Sequence, residues 1–214
     1  MKTVALLTLL AMSTLTAADP AKIETAIVGG GCFWCTEGTY KLVPGVTKIV
    51  SGYSAGKTEN PTYEDICTGE SGHAEVVKVS YDAAVISYRK ILDLFFDMHD
   101  PTSVTKEEMV KHGKLLPKGT PYQGNDYGTQ YRSIIIYETE AQKKDADAAK
   151  AEAQKNWKDP IATEILPLKK FYEAEEYHQD FAKRNPYQGY VMGVVTPKVE
   201  KFKHKLEEKT EAKK

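Results

Sequence analysis

Two hydrophobic periodicities alternate along this chain. Residues 22–28 (KIETAIV) form a mostly apolar run that ends at Gly29-Gly30-Gly31, which predicts a strand closed by a tight turn. A helix is predicted from Cys32 to about Lys41, stopped by Pro44-Gly45. Residues 46–53 alternate apolar and polar, and residues 75–81 (EVVKVSY) are rich in β-branched side chains, so both read as strands. Between them, residues 54–73 carry Gly, Thr, Ser, Asn and Pro and predict a long functional loop. Tyr88, Ile91, Leu92, Phe95 and Phe96 recur at helical spacing up to His99-Asp100-Pro101, where a helix must end. Residues 101–129 read as loop, 132–137 as strand, 139–157 as helix, 161–168 as a last strand and 173–182 as a short helix. The chain reads as irregular over 185–193, and over 198–214 as a charged helix or a frayed tail. Strands alternating with helices predict an α/β (α+β sandwich) fold, preferably a ferredoxin-like split βαβ plait, as one catalytic domain with long loops.

Length and charge narrow the classes. The 214 residues suit one domain, and 41% hydrophobic with 28% charged residues excludes a wholly disordered chain. A net charge of -1 argues against nucleic acid as a partner. Residues 1–18 have a different composition. Lys2 precedes an apolar run from Val4 to Met12, broken only by Thr8, and Thr16-Ala17-Ala18 has the small residues of a signal-peptidase site. The run is far shorter than the ~20 residues that span a bilayer. The expectation is a signal peptide over 1–18 and a mature domain over 19–214, exported to a periplasmic or extracellular compartment and free of the membrane once cut. Exposed thiols tend to oxidise there, so a working free cysteine would need a dedicated reductant.

Chemistry concentrates at Gly29-Gly30-Gly31-Cys32-Phe33-Trp34-Cys35. A cysteine that opens a helix meets unpaired N–H groups and partial positive charge, which favour a thiolate and predict a lowered pKa for Cys32. Cys35 lies one turn on and can pair with it, as in redox C-x-x-C motifs. Other readings of the same residues remain open: two buried structural thiols, a zinc site completed by Cys67 and His73, or a thioredoxin-like dithiol.

At this motif the sequence closely resembles the peptide methionine sulfoxide reductase A family. The likeness continues in Tyr63-Glu64-Asp65-Ile66-Cys67-Thr68-Gly69 with Gly72-His73-Ala74-Glu75-Val76-Val77. It continues again in Gly124-Asn125-Asp126-Tyr127-Gly128-Thr129-Gln130-Tyr131-Arg132-Ser133, and in Ala174-Glu175-Glu176-Tyr177-His178-Gln179-Asp180 with Asn185-Pro186-Tyr187. Four blocks in the family's order are far more specific than any one motif. The resemblance implies reduction of methionine S-sulfoxide, free or in oxidised proteins, with no metal and no bound organic cofactor, by a monomer. It casts Cys32 as nucleophile and Phe33 and Trp34 as the cup for the substrate methyl group. Glu75 is the acid, Tyr63 and Tyr131 are hydroxyl donors to the sulfoxide oxygen, and Asp126 organises that network. His73 and His178 stay outside the catalytic set.

One departure bears on turnover. Many members carry a resolving cysteine after the Asn-Pro-Tyr block, and here Gly189-Tyr190 is followed by Val191. Cys35 becomes the expected resolver of a Cys32 sulfenic acid, with a thioredoxin-like dithiol recycling the disulfide; failing that geometry, an external thiol would reduce the sulfenic acid directly. The rival activity is thiol–disulfide exchange by the Cys32/Cys35 pair.

Overall fold

The computed structural model describes residues 22–111 and 113–211. The leader expected over 1–18 lies outside them. Strand β1 (Ile23–Gly30) runs through the middle of a six-stranded sheet ordered β10-β2-β3-β1-β8-β9. Its neighbours are β3 (Ala74–Asp82) and β8 (Ser133–Tyr137), both antiparallel to it. Beyond β3 lies β2 (Val46–Ser54), antiparallel, and beyond β8 lies β9 (Glu164–Pro167), parallel. The register pairs Val28 with Val77 and Gly29 with Ile134.

Both sheet faces are covered, which explains why β1 reads as a nearly continuous apolar run. Ile27, Val76, Ile134 and Ile136 fill one face, with Leu168 and Phe171 against them. Val28, Val77, Val79 and Ile135 fill the other, where the helices pack. Helix α3 (Tyr88–Met98) turns Ile91, Leu92, Phe95 and Phe96 inward and is capped by Ser87, whose hydroxyl accepts the Lys90 N–H. Helix α4 (Glu140–Gln154) lies beside it and buries Ala146, Ala149 and Ala153. Burial of each large apolar side chain contributes roughly 1.5–3 kcal/mol. The result is a mixed α/β single domain.

Four expectations change. First, the Gly/Thr-rich loop contains helix α2 (Tyr63–Thr68), built by a reciprocal capping box between Thr62 and Asp65 and closed by Gly69 at φ 75°. Second, residues 101–129 hold two small hairpins, β4 (Met109–Lys111) with β5 (Lys114–Leu116), and β6 (Tyr122–Gln123) with β7 (Asp126–Tyr127). Third, the helix expected over 173–182 does not form. Strand β10 (Phe171–Glu173) adds to the edge of β2, a 3-10 turn follows at Glu176–His178, and Asp180 at φ 55° breaks the path before a four-residue helix, α5 (Phe181–Arg184). Fourth, the irregular stretch expected over 185–193 ends at Gln188, and of the two readings of the C-terminal segment the helix forms. A π turn (Val191–Val195) leads into α6 (Thr196–Glu211), and Val191, Val195 and Phe202 are buried in the core on that side.

Candidate active site

The first helix, α1 (Phe33–Tyr40), starts one residue later than expected, so Cys32 is its N-cap. Two close approaches put it there. A Cβ on Gly29 would lie 2.5 Å from the Glu75 carbonyl, and Gly31 turns at φ +98° directly over the Gln123 side chain, 2.7 Å from where its Cβ would be. The strand therefore delivers Cys32 beside β3 and the β6–β7 hairpin. Glu75, fully buried, accepts the Phe33 N–H on Oε2 at 3.0 Å.

Cys32, Phe33, Trp34, Tyr63, Glu75, Asp126 and Tyr131 line one pocket of about 230 Å³, so seven of the eight residues singled out from sequence meet there. They arrive from a helix start (Cys32, Phe33, Trp34), α2 (Tyr63), β3 (Glu75), β7 (Asp126) and a 3-10 turn at Thr129–Tyr131. The wall is aromatic. Trp34 stacks on Phe181, centroids 3.8 Å apart and planes 7° apart, and Tyr190 meets it edge-on at 5.8 Å. Phe33 belongs to the core as much as to the pocket, packed against Tyr53 and His178 at 5.9 and 5.0 Å.

Electrostatics set the protonation states. Burial pushes the Glu75 carboxyl well above its ordinary 4.5, the nearby Cys32 adds to this, and the Phe33 N–H only partly offsets it. Burial likewise holds the hydroxyls of Tyr63 and Tyr131 far above 10, which keeps them neutral donors. The expectation of a lowered Cys32 pKa is overturned. The thiol is 5% exposed, and burial pushes it well above 9.0. The helix start offers only partial relief: the Cys35 N–H lowers it, the first N–H goes to Glu75 instead, and burial outweighs that relief. The neighbouring Cys35 thiol adds to the upward shift, while Cys35 itself is lowered, chiefly by Cys32 and further by Lys198.

Cys35 does not face the same side as Cys32. Although the two thiols are close enough to shift each other's pKa, Cys35 opens onto a separate cavity of about 360 Å³ with His99, Gln123 and Lys198. Cys67 sits exposed on α2, and both ring nitrogens of His73 are bonded, to the Gly56 N–H and the Thr58 carbonyl. The alternative zinc set of Cys32, Cys35, Cys67 and His73 is therefore not assembled.

Sequence reasoning missed three residues at the pocket. Gln188 and Tyr190 line it, and the Tyr190 hydroxyl donates to Asp126 Oδ2 at 2.6 Å. Glu175 positions Tyr63 by accepting its N–H at 2.8 Å while also accepting the Tyr53 hydroxyl at 2.8 Å. Tyr190 was in view only as the neighbour of an absent thiol; Glu175 lay inside a block whose contacts no spacing rule reveals. His178 packs behind Phe33 and Tyr63, and neither ring nitrogen has a hydrogen-bond partner among the described residues.

A mixed α/β domain that gathers a buried cysteine and a buried glutamate within one aromatic pocket defines a thiol-based oxidoreductase. The family model for peptide methionine sulfoxide reductase matches residues 24–211. The MsrA enzymes of Saccharolobus solfataricus and Pasteurella multocida are 48% and 46% identical to this chain, over 84% and 86% of it and 93% and 97% of their own lengths. Among solved structures, reduced Mxr1 from Saccharomyces cerevisiae superposes with a TM-score of 0.68 at 36% identity, covering 84% of this chain and 94% of that one. Mxr1 in complex with Trx2 matches with a TM-score of 0.50 at 30% identity, covering 78% and 92%. The chain belongs to the peptide methionine sulfoxide reductase family, oxidoreductases that act on sulfoxides.

Proposed function

We propose that this protein reduces methionine S-sulfoxide, free or within oxidised proteins, and that Cys32 takes the oxygen. The observation that carries the mechanism is the buried Glu75, its carboxyl pushed well above its ordinary range by burial, in the same pocket as the Cys32 sulfur. The methyl group of the substrate sits against Phe33 and Trp34, its apolar end against an apolar wall. Glu75, Tyr63 and Tyr131 donate to the sulfoxide oxygen as charge builds on it, and Asp126, held by Tyr190, orients that network. The Cys32 sulfur attacks the sulfoxide sulfur while Glu75 protonates the oxygen and the thiol proton returns to Glu75; the hydroxyl then passes from the substrate sulfur to the Cys32 sulfur as the transient S–S bond breaks. The products are methionine and a Cys32 sulfenic acid; the substrate sulfur gains two electrons and the cysteine sulfur loses them. Because burial raises the resting thiol, proton loss from Cys32 is coupled to the engagement of the sulfoxide by these donors. Cys35 then displaces the hydroxyl, giving a Cys32–Cys35 disulfide and water. The two thiols, one helical turn apart and close enough to shift each other's pKa, support this role, and the Mxr1 complex with Trx2 supports a thioredoxin-like dithiol as the recycling partner.

The proposal extends to organisation. The order β2-β3-β1-β8, antiparallel throughout, supports a split βαβ plait as the kernel, with β10 and β9 added at its edges. The composition of residues 1–18 supports a signal peptide and export; the mass of protein recovered from the exporting host should lack that segment.

Glu75→Gln tests the acid role. In single-turnover reactions the variant should convert a methyl sulfoxide about 10²–10⁴-fold more slowly, the usual contribution of a placed general acid. A wild-type rate would remove Glu75 from the chemistry. An insulin-disulfide reduction assay separates the thiol–disulfide reading, for which the sulfoxide would be inert.

A further inference from the structure

The N-terminal turn of α1 separates two cavities. Cys32 opens onto the sulfoxide pocket; Cys35 opens onto the second cavity, floored by His99 and Gln123 and walled by α6. Lys198, Lys201 and Lys205 come from one face of that helix. Lys205 is engaged by Asp97, which also holds Lys209. Lys198 and Lys201 have no ion-pair or hydrogen-bond partner among the described residues. The remaining acid, Asp100, accepts the N–H and hydroxyl of Thr102 on Oδ1. His99 is neutral: burial pushes its pKa down to about 4, and its ring nitrogens bond to the Phe95 carbonyl and the Ser133 hydroxyl. Lysines thus outnumber carboxylates three to two around this cavity, and Lys198 and Lys201 are the two not tied into an ion pair among the described residues.

We propose that this cavity is the entry site for a second reductant, a small thiol bearing a carboxylate, which attacks Cys35 from the side of α1 opposite the sulfoxide. The inference rests on Cys35 as the resolving residue. About 360 Å³ lies in the small-molecule range of roughly 300–1,000 Å³, whereas Cys35 itself is only 6% exposed. The first thiolate bonds to the Cys35 sulfur and breaks the Cys32–Cys35 bond, releasing Cys32 into the pocket that next needs it. A second thiolate attacks the mixed disulfide, frees Cys35 and leaves as the symmetrical disulfide. Two thiols lose one electron each, the enzyme disulfide gains two, and the thiol protons end on Cys32 and Cys35. Lysines at the mouth concentrate an anionic thiol, and Lys198 stabilises the departing Cys35 sulfur. Substrate and reductant occupy different faces and do not compete.

The test uses full-length enzyme oxidised by a methyl sulfoxide, with the disulfide mapped by mass spectrometry. Stopped-flow reduction compares 3-mercaptopropionate, 2-mercaptoethanol and cysteamine (anionic, neutral and cationic), with rates expressed per thiolate. The anion should lead the cation about tenfold, Lys198→Gln/Lys201→Gln should level the series, and Lys198→Glu/Lys201→Glu should reverse it, all with unchanged single-turnover sulfoxide reduction. The trapped mixed disulfide should map to Cys35. The same rate order in wild type and both variants, or a mixed disulfide on Cys32, would overturn the cavity assignment alone. Cys35 remaining a free thiol after sulfoxide treatment would overturn the resolver reading with it.

Discussion

Glu75 keeps its proton because nothing around it can replace water: one backbone N–H reaches the carboxyl, while a sulfur and three tyrosine hydroxyls share the pocket. That has a consequence for stability. A carboxyl whose folded pKa lies above its ordinary value binds more protons folded than unfolded once pH passes about 4.5. Its contribution is fully present below that pH and is lost as pH rises towards the raised pKa. Thermal melts between pH 4 and 8 should therefore show wild type losing stability relative to Glu75→Gln; parallel curves would mean that Glu75 is ionised in the fold. At this scale the sequence was informative about identity and misleading about charge. Cys32, Glu75 and the two tyrosines stood out because their blocks did, yet the thiol pKa was placed in the wrong direction. A helix start is visible in sequence, whereas the depth at which it is buried depends on β3 and the β6–β7 hairpin, far away along the chain. Tyr190 escaped for the same reason. Removing its hydroxyl in Tyr190→Phe leaves Asp126 without that donor, and should lower kcat about 10-fold while leaving KM within twofold. An unchanged kcat would detach the Asp126–Tyr190 pair from the chemistry.

Among the elements, strong periodicity was legible and local capping was overlooked. α3 announces itself through Ile91, Leu92, Phe95 and Phe96, but α2 hid in a glycine-rich composition although Thr62, Asp65 and Gly69 spelled out its two ends. Because α2 carries Tyr63, its cap bears on the site. Thr62→Ala should cost about 1 kcal/mol of stability, measured by urea unfolding. It should also slow sulfoxide reduction more than that loss alone explains; normal kinetics would show that Glu175 holds Tyr63 unaided. The segment around 173 failed as a helix because pairing with the open edge of β2 outcompetes local propensity. α6 was underrated because its many charges mask a buried stripe. Phe202 is 3% exposed, and Phe202→Ala should cost about 3–5 kcal/mol. A value below 1 kcal/mol would return the segment to a loosely held tail.

For the whole molecule, the α/β class followed from the alternation of elements, while the two-sided division of labour around α1 did not. No periodicity reveals that residues one turn apart open onto different cavities, because α6 closes the Cys35 side and the β6–β7 hairpin, running between them, gives Gln123 to that cavity and Asp126 to the other. The central claim is that one buried sulfur removes oxygen from one mirror form of a methyl sulfoxide and passes the oxidation to its neighbour. The direct measurement mixes fully reduced enzyme with the S or the R epimer of a methionyl sulfoxide, without reductant, and counts methionine formed and thiols lost. The account predicts one methionine per chain from the S epimer, two thiols lost, a Cys32–Cys35 disulfide by mass spectrometry, and no methionine from Cys32→Ser. Turnover by Cys32→Ser, or no methionine from either epimer, would contradict it.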